Sequence, residues 1–477
     1  MQSRNGCRSV SETFDLVVHG GRLVSSSGER EGVLAVMDGR VSAILPRDAR
    51  PSAERLIDAS GLHVFPGIID THVHTRHPGV AAREDITSGT TAAAAGGITT
   101  LLEMPISTIA VNSADAVERR QAAMQPGALV DFGLYGGAGQ ENVDAIAEQA
   151  RAGVVGFKTF LQPPPPARLG EFEGLWCTDT ATLRDLLSAT AATGLPHAFH
   201  CEDAALFTAL QARLEAAGRY DGLAHADSRP PVVEERSVAA LVPLAAEARA
   251  RMHVVHLSSP RSAQLVLDAR RRGIHVTAET CPPYLFFSCE KLETLRGFAK
   301  CNPPLRERDD VEGLWRYLAA GAVDVVGTDH SPFLDEEKRR GDANIFLAPP
   351  GLCGLEVALP LMLTAVHEGR LPLELLVSLM SERAASLFGL PRKGRLEPGC
   401  DADFVLVDRA HSWTFDHTRA RTKSKGNMRI YDGMTFVGRV VSTFLRGRPV
   451  VEDGEVVGRP GAGRFVRPER HDAASVH

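Results

Sequence analysis

The chain has 477 residues, 44% hydrophobic and 23% charged, with a formal net charge of −6. That is the make-up of an ordinary soluble globular protein, long enough for one large domain and a smaller one. It gives no electrostatic footprint for nucleic acid, since the basic clusters Arg249–Arg251 and Arg270–Arg272 read as solvated helix faces.

The start, Met1–Glu12, is polar, has no apolar signal core and is predicted as a disordered leader. No apolar window approaches the ~18 residues of a membrane span. The eight cysteines form no Cys-x-x-Cys pair, so reduced thiols and a cytoplasmic location are expected. Short strands and turns follow from Phe14 to Val64, with a hairpin signal at Asp38-Gly39. So short a segment buries little core by itself and needs a partner.

From residue 66 the pattern changes. Strands are predicted at Ile68–His74, Thr99–Met104, Val130–Tyr135, Val154–Phe160, Pro196–His200, His253–Leu257, His275–Ala278 and Val323–Gly327. Helical segments follow most of them, at 84–96, 114–124, 142–151, 179–193, 262–272 and 311–320, with two more at 355–367 and 373–388. Eight alternating units predict parallel pairing in an α/β fold, a (β/α)8 TIM-like barrel over residues 66–392. Further strands at Asp401–Asp408, Val437–Arg446 and Arg448–Val457 supply the missing partner. The prediction is a small β-sandwich domain built from both termini, residues 13–65 plus 393–460. Residues 409–434 read as a polar connecting loop and 461–477 as a flexible C-terminal tail.

In such a barrel chemistry sits where strands end and loops begin. His72 and His74 share one face of the first strand, since side chains alternate with period two. Lys158 stands on the fourth strand, His200 ends the fifth, His256 the sixth, and Asp329 follows the eighth. Each alone is more often a hydrogen-bonded structural residue. Together at one end of a barrel they form a ligand set. Four imidazoles and a carboxylate exceed one catalytic zinc site, which uses three protein ligands, and suit two ions about 3.5–4 Å apart. Lys158 is the awkward member, because a cation with a reference pKa of about 10.4 repels metals.

These residues resemble the cyclic amidohydrolases: allantoinase, hydantoinase, dihydropyrimidinase and dihydroorotase. The likeness spans about Phe14–Pro468 and lies in Pro66-Gly67-Ile68-Ile69-Asp70-Thr71-His72-Val73-His74, Gly96-Gly97-Ile98-Thr99-Thr100 and Gly156-Phe157-Lys158. It continues in Asn302-Pro303-Pro304-Leu305-Arg306, Thr328-Asp329-His330-Ser331-Pro332 and the late Lys393–Asp403 stretch. The resemblance implies two divalent metal ions, by family habit Zn2+, and a homotetramer. His72, His74 and Asp329 would hold the more buried ion, and His200 and His256 the second. Lys158, carboxylated to N6-carboxylysine, would bridge them as an anion. A metal-bridging hydroxide would attack the ring amide, with Asp329 as general acid/base.

Departures from the family pattern bear on the substrate. Pro163 stands five positions after Lys158, where dihydropyrimidinases and D-hydantoinases usually carry tyrosine and allantoinases a proline. Arg76 sits where dihydroorotases place a carboxylate-reading arginine, but Met104-Pro105 is followed by Ile106-Ser107 instead of their asparagine. Pro283 stands where many relatives have histidine or glutamine, and Pro350-Gly351 replaces a ring-contacting asparagine-glycine pair. Arg76, Ser107, Asn302, Ser331, Pro350 and Gly351 are the candidate substrate contacts. The expected substrate is a small cyclic amide or ureide, allantoin first, with hydantoinase/dihydropyrimidinase and then dihydroorotase as alternatives. A non-catalytic dihydropyrimidinase-like protein is the alternative of another class, and all six ligand positions being filled argues against it. A single-metal deaminase would have no use for Lys158.

Overall fold

The computed structural model describes residues 13–469; the expected leader and the last eight residues lie outside that range. Eight parallel strands form the centre: β1 (Ile68–Val73), β2 (Ile98–Glu103), β3 (Asp131–Gly137), β4 (Gly156–Phe160), β5 (His197–His200), β6 (Met252–Val254), β7 (Val276–Thr280) and β8 (Val325–Val326). Each pairs with the next in sequence, and a parallel bridge from Val73 to His330 closes β1 onto the end of β8. Their apolar runs are buried throughout, as expected of parallel strands covered on both faces. The protein is a (β/α)8 barrel.

Several of the helices begin on side-chain caps. Asp85 and Ser88 form a reciprocal capping box, and Asp179, Asp203, Asp221 and Ser259 each accept a first-turn N–H. Three helices absent from the sequence prediction, Ala204–Ala216, Gly222–Ser228 and Pro231–Ala248, fill the connection between β5 and β6.

Both ends of the chain build two further sheets. One contains the strands 40–45, 33–37, 14–19 and 53–58; the other runs 455–456, 448–452, 435–445, 404–414, 63–66, 22–25 and 28–31. Leu16, Leu34, Val64, Phe404 and Phe444 fill the space between them, with the two phenylalanine rings stacked 4.3 Å apart. Gly67 is the joint to the barrel. Its N–H donates to the Asp403 carbonyl at 2.8 Å, and a Cβ there would lie 2.1 Å from Thr99 Oγ1. Beneath the barrel the buried Lys393 ammonium donates to Asp131, Asp401 and Asp403 at 2.6, 2.8 and 2.6 Å. These three acidic groups therefore hold an ammonium.

Two expectations are corrected. Residues 409–434 are not simply a polar loop: the strand runs on to Thr414, and Phe415, Met428, Ile430 and Tyr431 are buried. Scattered apolar residues in a polar stretch were anchoring it. The tail does not begin at 461. Phe132 N–H donates to Arg464 O (3.0 Å), Val466 N–H to Phe132 O (2.8 Å) and Glu469 N–H to Gly389 O (2.8 Å). The Phe465 ring supplies the apolar surface that holds this segment, 5.7 Å from the Phe132 ring.

Candidate metal centre

Four imidazoles line up across the mouth of the barrel. Ring centroids are 5.2 Å apart for His74 and His72, 5.4 Å for His72 and His256, and 4.6 Å for His256 and His200. His72 and His74 come from the end of β1, and Asp329 from the turn after β8. Asp329 Oδ1 lies 3.3 Å from Nε2 of both rings. Two donors each ~2.1 Å from a shared tetrahedral ion stand about 3.4 Å apart, so this spacing is that of a ligand set. On the other side His200 Nδ1 and His256 Nε2 face each other at 2.9 Å.

Lys158 lies on β4 inside the barrel, wholly buried, and its Nζ has no hydrogen-bond partner. Burial pushes its pKa down to about 8. An unpartnered amine among neutral imidazoles is poorly satisfied as it stands. A carboxylated amine would turn it into an anion with two ligand oxygens. The donor set therefore fits two divalent cations bridged at Lys158.

Protonation states agree with that chemistry. Burial holds His74 down to about 3 and depresses His200 and His256, so these imidazoles are neutral donors near pH 7. Burial alone would raise Asp329, but His72 and His74 hold it down to about 2, as the anion.

Carboxylates orient the rings from behind. Glu279 Oε1 is 2.7 Å from His72 Nδ1, and Glu202 Oε2 is 2.7 Å from His200 Nε2. Arg229 also donates to Glu202, at 2.6 Å. Asp70 accepts the N–H groups of His72 and Thr328, tying β1 to the segment that carries Asp329. Glu202, Glu279 and Asp70 are not among the site residues that the sequence predicts. Their signal was a charged residue inside or directly after an apolar strand. His256 (φ 40°), Asp329 (φ 48°) and Arg76 (φ 55°) all adopt left-handed backbone, which costs free energy outside glycine and clusters at functional sites.

The candidate substrate contacts fare unequally. Arg76 and Ser331 are brought together: Arg76 Nη2 donates to Ser331 Oγ at 2.7 Å, and the guanidinium sits 4.3 Å over the Phe333 ring. Arg76 Nε and Nη1 are buried without partners. Asn302 Oδ1 is likewise buried and unpartnered. Gly351 packs on Ser331, where a Cβ would lie 2.5 Å from the Ser331 carbonyl oxygen. Ser107 is already engaged, since its hydroxyl accepts from Arg120 at 2.6 Å and from Ile109 N–H at 2.9 Å.

Residues 63–450 match the sequence pattern of the amidohydrolase family. The chain belongs to that family. It is 38% identical over 458 residues to an allantoinase of Deinococcus radiodurans, covering 96% of this chain and 99% of that one. It is 40% identical over 459 residues to an allantoinase of Rubrobacter xylanophilus, covering 96% and 98%. Among solved structures, the L-hydantoinase (dihydropyrimidinase) of Arthrobacter aurescens superposes with a TM-score of 0.91 at 35% identity, over 95% of this chain and all of that one. In this amidohydrolase the cluster lies where the barrel strands end, the face on which (β/α)8 enzymes carry their active sites. No helix among the described residues is long and apolar enough to cross a membrane.

Proposed function

We propose that this amidohydrolase opens the ring of a cyclic amide by hydrolysis, with allantoin to allantoate as the first assignment. The observation that carries it is the arrangement of His72, His74, Asp329, His200 and His256 around an unpartnered Lys158. Two bound cations, assigned as zinc, would supply Lewis acidity and bring the pKa of water close to neutrality. His72, His74 and Asp329 would hold one, His200 and His256 the other, and Lys158 as N6-carboxylysine would bridge them.

Asp329 is the residue placed to move the proton. Its Oδ1 lies at the His72–His74 end of the cluster, and its low pKa keeps it ionised near pH 7. As water adds to the ring carbonyl, Asp329 takes its proton and returns it to the ring nitrogen. The C–N bond breaks and one water is consumed. The His72 and His74 rings flank the Asp329 carboxylate, each Nε2 3.3 Å from Oδ1, so the proton acceptor sits beside the ligands of the first cation. Arg76, Asn302, Ser331, Pro350 and Gly351 would orient the ring. Pro163 in place of tyrosine and the named allantoinase relatives both favour allantoin over dihydropyrimidines.

A dihydroorotase-like substrate is the second reading, favoured by one observation: the buried, unpartnered Nε and Nη1 of Arg76 could receive a ring carboxylate. A homotetramer in the cytoplasm belongs to the same proposal, on family resemblance. The test is turnover of allantoin, hydantoins, dihydrouracil and dihydroorotate by purified protein, with metal analysis. Allantoin opening at two metals per chain is expected. No turnover of any ring by a two-metal preparation would sink the assignment, and one metal per chain would count against the paired centre.

A further inference from the structure

Two lysines are buried next to the candidate centre without any carboxylate partner among the described residues. Lys338 lies in the short helix Asp335–Arg339 after β8 and is completely inaccessible; Lys300 lies two residues before Asn302 in the segment after β7. A buried, unpaired ammonium is costly, so its hydrogen bonds must matter. Lys338 Nζ donates to the carbonyls of Lys300 (3.2 Å), Pro349 (3.1 Å) and Gly351 (2.8 Å). Three donors meet three acceptors, which uses the full capacity of an ammonium. Lys300 Nζ donates to the carbonyls of Ile345 (2.8 Å) and Phe346 (3.3 Å), and Gly351 N–H donates back to Lys300 O (2.9 Å).

The pattern is a staple between two backbone segments. One carries Asn302, with its buried unpartnered Oδ1; the other carries Pro350. In extended chain successive carbonyls point to opposite sides. With the carbonyls of Pro349 and Gly351 both drawn to Lys338, the carbonyl of Pro350 is turned away from it. That carbonyl accepts no hydrogen bond among the described residues. Gly351 in turn rests on Ser331, two residues after Asp329. The Phe333 ring lies beneath both cations, 4.3 Å from the Arg76 guanidinium and 5.9 Å from Lys338 Nζ.

We propose that Lys338 is a positioning residue for the substrate ring. It acts through the backbone, holding the segment that carries the Pro350 carbonyl against the one that carries Asn302, so that the two acceptors left free there can meet ring N–H groups. Such a pair selects a ureide ring, with two N–H donors, over a lactam with one. This inference rests on the cyclic-amide reading above.

The test uses metal-loaded full-length protein and the variants Lys338→Met and Lys338→Gln. For a ureide ring, KM is expected to rise about tenfold in Lys338→Met and less in Lys338→Gln, with kcat within about threefold. Metal content is expected to stay at the wild-type level, and Gly351 N–H is expected to exchange with deuterium faster. Turnover with an unchanged KM would overturn the inference alone. So would kcat falling in step with the folded fraction, or both variants failing to fold, which would leave the lysine a purely structural role. Wild-type protein that opens no ring would overturn the functional reading and this inference with it.

Discussion

Glu279 Oε1 lies 2.7 Å from His72 Nδ1, deep in the barrel and sealed from solvent. That contact assigns the ring proton to Nδ1 and leaves the Nε2 lone pair facing Asp329. Glu202 does the reverse for His200, engaging Nε2 and leaving Nδ1 toward His256. His72 and His200, one on each side of His256, thus present different nitrogens, each fixed by its own carboxylate.

Glu279→Gln replaces an anionic acceptor by an amide that can turn either its oxygen or its NH2 to the ring. Metal affinity is expected to fall about 10–100-fold with the fold retained. Competition against a chelator, alongside circular dichroism, measures it; wild-type affinity would remove Glu279 from the metal's support.

Asp329→Asn keeps the shape and removes the proton acceptor. Turnover is expected to fall by roughly 10²–10⁴-fold, the usual range for a general acid/base. Retention of both metals with near-normal turnover would show that the proton travels elsewhere.

Glu356 gives a stability that depends on pH. Partial burial raises its pKa from 4.5 to about 7, despite the Arg421 N–H that it accepts. Because the folded pKa is above the unfolded one, its favourable contribution is complete below about 4.5 and is lost as pH rises through about 7. Glu356→Gln is therefore expected to raise the unfolding midpoint at pH 8 more than at pH 5. Equal midpoints for the two proteins across that range would contradict the burial of this carboxyl.

Lys393→Met should uncouple the sandwich from the barrel. Asp131 keeps Arg446 at 2.6 Å, but Asp401 and Asp403 lose their shared cation. Removing one partner from a buried ion network costs about 3–5 kcal/mol. Denaturant unfolding and limited proteolysis near Gly67 read the loss; an unchanged midpoint would mean that the network contributes nothing.

The barrel was legible because its strands are buried on both faces, so Ile68-Ile69, Leu101-Leu102 and Val154-Val155 appear as short apolar runs. The ligands were legible as polar residues at the ends of those runs. Their supporting carboxylates were not, because Glu279 meets His72 across 207 positions of sequence, and only the closed barrel makes them neighbours. The helices between residues 204 and 248 are not legible in the sequence because polar residues break up their apolar faces and Pro230-Pro231 reads as a turn. Ser107 is the opposite case: a hydroxyl that the sequence offers to substrate is held by Arg120.

The strand His63–Pro66 pairs on one side with Arg22–Ser25 and on the other with Phe404–Thr414, which is translated only after the whole barrel. At ~5–20 residues per second the ribosome leaves that edge, with Val64 and Phe65, unpaired for tens of seconds. An open apolar edge is a template for pairing with another chain. The growing chain therefore carries an open apolar edge during synthesis, and a chain released before residue 404 would keep it at its beginning.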